Sequence, residues 1–363
     1  MNTQFLNSKI REEARVEATR HLLELRADNS QPIDIFQIIQ DAGIWLMFQP
    51  LKNLYGAYIP QQSSVGIIIN SGHPLSLQRF TAAHEYAHYV LQHPLSLDDE
   101  GILQRAGNSS DPREVAADAF AANLLMPLHL VNRMLGRMGL SSRPSQLTDI
   151  QAYQLSLDLG VSYAAAVNQL VFLKKIDSEL GEQLRKPPRA IKLQIARAPL
   201  ENPRADIWPL DLTYAGRKLN LRVHDELSIH LPENPSTGYL WTFDDPSIPA
   251  TAAAHLDAGA EPGGPPAGAE AGEAGHTSVA APLALLCNEF EQETSLEGPA
   301  RFGSSGERYL RLRVLHPGRY MLRLFKRRSW EAAAPPAEAF EVVLNVIPKS
   351  HGLSPQQQLL LAA

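Results

Sequence analysis

The chain has 363 residues, a formal net charge of −6 at pH 7, and 44% hydrophobic and 20% charged side chains; that length and mix fit a multidomain globular protein. The acidic balance argues against general nucleic-acid binding, no apolar run approaches the ~20 residues of a membrane span, and the N-terminus lacks the apolar core of a signal peptide. Cys287 is the single cysteine, so no internal disulfide can form and a cytoplasmic setting is expected, with Cys287 itself a small buried hydrophobe rather than a nucleophile.

Residues 1–127 mix helices with short strands. The patterns predict amphipathic helices over Glu12 to Leu25 and Pro32 to Asp41, then a strand over Ile44 to Phe48. Tyr55 to Ile59 and Val65 to Asn70 read as a hairpin turning at Gln61 to Ser64. If Val65 to Asn70 lay at a sheet edge it could pair with an extended substrate; burial inside the sheet is the alternative. Leu77 to Leu91 is helical by period and contains His84-Glu85-Tyr86-Ala87-His88, an H-E-x-x-H motif. Residues four apart share a helix face, so both imidazoles can reach one metal ion. Glu85 then sits on the adjacent flank, where a carboxylate can take a proton from a water held by that metal. Tyr86 points off this face and is assigned no role.

A catalytic zinc site keeps three protein ligands. Asp111-Pro112-Arg113-Glu114 opens a further helix, with Asp111 as N-cap, Pro112 at the first position and Glu114 at the third. A glutamate there can complete a capping box. Glu114 and Asp118 are four apart, however, and the preferred reading makes Glu114 the third ligand and Asp118 the group that orients a ligand histidine. Arg79-Phe80-Thr81-Ala82-Ala83-His84-Glu85-Tyr86-Ala87-His88, Glu114-x-x-Ala117-Asp118-x-Phe120-Ala121 and Leu124-Leu125-Met126-Pro127 together resemble the ImmA/IrrE-type zinc metallopeptidases. The resemblance extends upstream through Pro32-Ile33-Asp34-Ile35, Ala42-Gly43-Ile44, Gly56-Ala57-Tyr58 and Val65 to Asn70, and covers about residues 10 to 180. It implies an α+β zincin-like domain with one Zn2+ per chain. It also implies cleavage of a helix-turn-helix repressor in the cytoplasm, which switches on mobile-element or stress genes. Tyr86-Ala87 stands where the family often has Leu-Gly, a departure that leaves the ligands untouched.

Residues 128–185 read as helical throughout. Leu155 to Gly160, a serine cap at Ser162 and the helix from Tyr163 make a helix-turn-helix shape. The second helix offers Tyr163, Asn168 and Gln169 but no Arg or Lys before Lys174, so packing or docking of a repressor is expected rather than direct DNA binding.

Residues 186–204 read as a linker, and strand patterns follow over 205–348. Strands are predicted over Leu219 to Val223, Glu226 to Leu231, Leu240 to Phe243, Glu307 to Leu315, Tyr320 to Lys326 and Ala339 to Ile347. Residues 250–282 hold 22 Ala, Gly or Pro in 33 positions and read as a disordered insertion; residues 349–363 form a tail. An all-β sandwich of immunoglobulin type is expected. Asn234-Pro235-Ser236-Thr237-Gly238-Tyr239, Gly303-x-x-Gly306 and Arg328-Ser329-Trp330-Glu331 resemble the three loops of chagasin-like inhibitors of papain-type cysteine peptidases. The resemblance implies a wedge in which Ser236, Thr237 and Gly238 enter the peptidase cleft, Trp330 flanks it, and Gly303 to Gly306 supports it. Ser236 replaces a frequent Thr, and Ser329 replaces the usual Pro. The bland alternatives make Trp330 a core residue and 234–239 a plain turn. Nine Arg or Lys lie between Arg301 and Trp330 against one acid, Glu307, either a solvated face or a lure for an acidic partner. The composite expectation is a zinc endopeptidase joined to a domain that inhibits or senses papain-like cysteine peptidases. The alternative is a cysteine-peptidase inhibitor whose zinc-site half is regulatory or inactive.

Overall fold

The computed structural model describes residues 3–28, 30–60, 65–94, 96–99, 111–244, 282–292, 305–328, 330–331 and 334–347. They cluster in two compact units, Met1–Ile191 and Lys192–Lys349. The expected turn 61–64, residues 250–281 of the expected insertion, Gly303, Ser329 and the tail 349–363 lie outside the described residues.

The first unit contains α1 (Thr3–Glu24), α2 (Ile35–Asp41), β1 (Trp45–Gln49), β2 (Leu54–Pro60), β3 (Val65–Asn70), α3 (Leu75–Val90), β4 (Ser96–Asp99), α4 (Pro112–Leu125), α5 (Leu128–Arg137), α6 (Asp149–Leu159), α7 (Tyr163–Phe172) and α8 (Ser178–Gln183). Its sheet runs in the order β1-β3-β2-β4. Val65 to Asn70 pairs in parallel with β1 on one side and antiparallel with β2 on the other. Both its hydrogen-bonding edges are thus occupied inside the sheet, which removes the expectation that it could pair with a substrate. The outer strand beyond β2 is β4, for which the sequence carried no strand signal.

Helix α3 lies on β2 and β3 and packs against α4, which packs in turn against α1. Thr81 through His88 are all buried. Ala82, Ala83 and Ala87 let backbones approach from several sides at once, so polar neighbours are carried into the interior and held there. Tyr86 is used in this packing: its hydroxyl meets His21 Nε2 of α1 at 2.8 Å. Arg79, half-buried, donates to the carbonyls of Ile33 (2.6 Å) and Gly160 (3.0 Å), tying the start of α3 to the α6–α7 turn.

Helices α6 and α7 meet at 100°, within the range of a helix-turn-helix. Thr148 and Gln151 form a capping box on α6, and Ser162 caps α7. Gln169 donates to Asn123 Oδ1 (3.1 Å) and the Met126 carbonyl (3.2 Å) of the α4 end, and Tyr163 donates to the Leu184 carbonyl. Two of the three polar side chains with which α7 could have read bases are therefore buried in packing, and only Asn168 stays exposed.

The second unit begins within the stretch expected as a linker, where the structure instead has a helix, α9 (Pro188–Ala196). Its terminal carbonyls are capped by side chains of the sandwich: Tyr309 and Arg311 both donate to Ala196 O at 3.0 Å, and Ser228 donates to Ile195 O. The sandwich has one sheet in the order β5 (Ile207–Leu210), β7 (Glu226–Glu233), β10 (Gly306–Val314), β9 (Leu283–Gln292). The other runs β6 (Lys218–Arg222), β12 (Glu338–Ile347), β11 (Gly318–Arg328), β8 (Tyr239–Phe243). Alternate residues such as Leu227, Ile229, Leu322, Leu324, Phe340, Val342 and Leu344 fill the core. Strands β5 and β9 were not foreseen. Pro209 argues against a central strand and is accommodated because β5 is an edge. Cys287 on β9 is half-buried, and burial pushes its thiol up to about 11, so it is a poor nucleophile near neutrality.

The basic run over β10 and β11 is largely paired within the unit. Arg308 binds Glu233, Arg311 and Arg313 bind Glu226, Arg323 lies by Glu341, Lys326 binds Glu338 and Arg328 binds Glu331. Cross-strand neighbours balance the charge that looked unopposed along the chain, which weakens the idea of a lure for acidic partners.

Candidate metal centre and loop cluster

Three donors converge between α3 and α4. His84 and His88 lie one turn apart, with Nε2 atoms 3.2 Å from each other. Glu114 presents Oε2 at 3.1 Å from His84 Nε2 and Oε1 at 3.7 Å from His88 Nε2. One ligand atom from each of the three lies within 4.8 Å of the others. The choice between a capping residue and a ligand at Glu114 is resolved by direction. Asp111 alone caps α4, accepting from Arg113 N at 2.9 Å, and the Glu114 carboxylate is turned to the two imidazoles.

Each histidine is also held from behind. His84 Nδ1 is 2.9 Å from Asp118 Oδ1, and His88 Nδ1 is 2.9 Å from His93 Nδ1. His84 thus touches a carboxylate through each nitrogen, yet a neutral imidazole carries one N–H. With that N–H given to Asp118, its Nε2 lone pair faces a carboxylate oxygen and the His88 nitrogen. A cation among the three resolves this conflict, and two histidines with one carboxylate are a zinc donor set that leaves a position open. The residues present therefore fit a zinc ion. Burial and repulsion from His84 lower the His88 imidazole to about 3, so it is neutral near pH 7. Burial would raise the Glu114 carboxyl, but its interaction with the two imidazoles it faces, His84 above all, outweighs this and leaves it lowered.

Glu85 is completely buried, next to the donor set and under β2. A Cβ at Gly56 would lie 2.6 Å from Thr81 Cγ2, 2.9 Å from the Ile68 carbonyl and 3.1 Å from Glu85 Oε1. Only glycine lets the strand approach this carboxylate so closely. Tyr58, two residues on, stacks over His88 with ring centroids 6.4 Å apart. In the sequence Gly56 and Tyr58 carry no local signal that places them at the site, and neither does His93.

In the second unit the described residues of the three expected loops share one end of the sandwich. The register pairs Gly306 with Glu233, the residue before Asn234, and pairs Arg328 with Tyr239. Asn234 Oδ1 accepts from Ser236 N and Oγ, Thr237 Oγ1 donates to Asn234 O, and Gly238 closes the turn at φ +77°. Ser236 and Thr237 remain exposed. Arg328 Nε donates to Thr237 O at 3.2 Å, with its guanidinium 4.6 Å from the Tyr239 ring. Trp330 is 68% exposed, so it is no core residue, and its ring lies against Gly238 where a Cβ would collide. Glu233, fully buried, anchors the root of the loop by accepting from Trp241 N and Arg308.

Comparison with known proteins gives two family matches. Residues 39–171 match the model of the IrrE N-terminal-like domain, and residues 220–344 that of the Chagasin family peptidase inhibitor I42. "Radiation response metalloprotease IrrE" of Deinococcus deserti is 35% identical over 107 residues, 28% of this chain and 36% of its own length. Its namesake in Deinococcus radiodurans is 33% identical over 107 residues, 28% of this chain and 30% of its length. The chain thus spans about a third of these relatives. Among solved structures, the cysteine protease inhibitor EhICP2 of Entamoeba histolytica is similar at 19% identity and a TM-score of 0.26, over 40% of this chain and 100% of that one. PbICP-C, solved in complex with falcipain-2, is similar at 15% identity and a TM-score of 0.22, over 40% of this chain and 99% of that one.

Proposed function

Starting from a chain that carries an IrrE-like metallopeptidase domain and a chagasin-family inhibitor domain, we propose that it is a zinc-dependent endopeptidase that also binds papain-like cysteine peptidases. The observation that carries the first half is the convergence of His84, His88 and Glu114 within 4.8 Å. These three hold the ion. Zinc, when bound there, supplies Lewis acidity toward a water and a peptide carbonyl. Glu85 takes the proton from the attacking water and hands it to the amine that leaves as the C–N bond breaks. Asp118 keeps His84 in the tautomer that turns Nε2 inward. The substrate is a helix-turn-helix repressor in the cytoplasm, docked on the helical part of the first unit.

The second half rests on the shared end of the sandwich, where exposed Ser236, Thr237 and Trp330 form a wedge on a rigid base. A wedge of this kind covers a catalytic cysteine without offering it a bond to cut. The alternative reading, an inhibitor whose zinc-site half is regulatory or inactive, is favoured by the same loop geometry.

Incubating the full chain with helix-turn-helix repressors, with and without chelator, separates the readings. A discrete, chelator-sensitive cut supports the endopeptidase. No cut of any repressor, together with inhibition of papain, leaves the inhibitor.

A further inference from the structure

The end of α3 carries a device that neither the motif nor the family matches assign. Gln92 N donates to Tyr89 O at 3.1 Å and His93 N donates to His88 O at 2.8 Å, while Gln92 takes φ +56°. This is a Schellman turn, in which the residue two past the cap folds back onto the residue three before it, a contact that is usually apolar. Here those two residues are His93 and His88. Their rings meet edge-on with centroids 5.0 Å apart, and Nδ1 faces Nδ1 at 2.9 Å. The turn is kept although Gln92 has a side chain in the left-handed region, where glycine is the unstrained choice.

We propose that His93 is a positioning residue for the metal centre: its Nδ1 accepts the Nδ1–H of His88 and so directs the His88 Nε2 lone pair at the ion. This rests on the reading that His84, His88 and Glu114 hold zinc. The chemistry follows from the donor inventory. A neutral imidazole has one N–H, so an acceptor at Nδ1 fixes the proton there and leaves Nε2 bare. The two ligand histidines are then oriented by different groups. Asp118, a carboxylate, makes His84 the more basic donor, and His93, a neutral ring, orients His88 without adding charge beneath the buried site. Because the turn that ends the helix also delivers His93, the length of α3 and the aim of its second ligand are set together.

The test is zinc affinity of the full-length protein, measured by competition with a chromophoric chelator, for wild type, His93→Leu, His93→Asn and Glu114→Ala. Ring 15N spectra of the zinc-loaded protein report the His88 tautomer alongside. His93→Leu removes the acceptor and is expected to weaken zinc binding about 10- to 100-fold. His93→Asn places an amide oxygen where Nδ1 was and is expected to recover most of that loss, with His88 protonated at Nδ1. Leu and Asn variants that are equally weak would mean that ring packing matters and the hydrogen bond does not, overturning the inference. Wild-type affinity in His93→Leu with loss in Glu114→Ala overturns it alone. Wild-type affinity in Glu114→Ala removes the zinc reading beneath it.

Discussion

The two units place their candidate sites in opposite ways. In the first, Glu85, His84 and His88 are buried within the last turns of α3, and each is held by packing or by a polar partner. In the second, Ser236, Thr237 and Trp330 stand in solvent, and only the groups beneath them, Glu233 and Arg328, are tied down. Bond cleavage needs charges fixed in a dry site where they act at full strength. Blocking a cleft needs an exposed shape that does not relax, so rigidity belongs in the base and the contact surface stays open. Substitutions should therefore separate function from stability differently in the two places.

The largest effect is expected at Glu85. Glu85→Gln keeps the shape but removes the base, and cleavage should fall by about 10²–10⁴-fold, with zinc content unchanged by elemental analysis. Next is the loop cluster. Trp330→Ala should weaken inhibition of papain by about 30-fold or more, the scale of an aromatic hot spot of ~2 kcal/mol, while the melting temperature stays that of wild type. A matching loss of stability would mean that Trp330 braces the sandwich and does not serve contact. Gly56→Ala, at the close approach of β2 to Glu85, should destabilise the first unit by about 1–3 kcal/mol, read as an earlier urea transition of α3 amides in hydrogen exchange.

The smallest effect concerns pH, and the two units should respond with opposite sign. His88 is lowered to about 3 by burial, below an unfolded value of ~6.5. Its contribution to the metal-free first unit is present above pH ~6.5 and lost as pH falls toward 3. Asp225, buried at the β6–β7 turn beside Asp206, is raised to about 7 from an unfolded ~3.9. Its contribution to the second unit is complete below pH ~3.9 and lost as pH rises through 7. With chelator present, protection of α3 should drop on acidification from pH 6.5, and protection of β7 should drop as pH rises from about 4 to about 7 and level off above that. Each change should be at most ~1.4 kcal/mol per pH unit, and parallel changes in both elements would contradict the assignment.

What was legible in the sequence follows from range. The H-E-x-x-H spacing reads directly because i and i+4 must share a face, and Asp111-Pro112 marks a helix start locally, which brings Glu114 and Asp118 into consideration. The alternating strands of β7, β10, β11 and β12 were visible for the same reason. His93 was not, because the turn that delivers it uses Gln92, which carries none of the signal a glycine would. The approach of Gly56 to Glu85 depends on a strand and a helix meeting in the fold, and the pairing of the basic run depends on cross-strand register. Strand β5 was hidden by Pro209 and β4 by its shortness and polarity, features that an edge tolerates.

Native mass spectrometry of the full-length protein with one equivalent of Zn2+ tests the central claim most directly. The account predicts one zinc on the wild type and on Glu85→Gln, and none retained by Glu114→Ala under the same conditions. A wild type that stays metal-free, or a Glu114→Ala variant that holds zinc as firmly as the wild type, would contradict it.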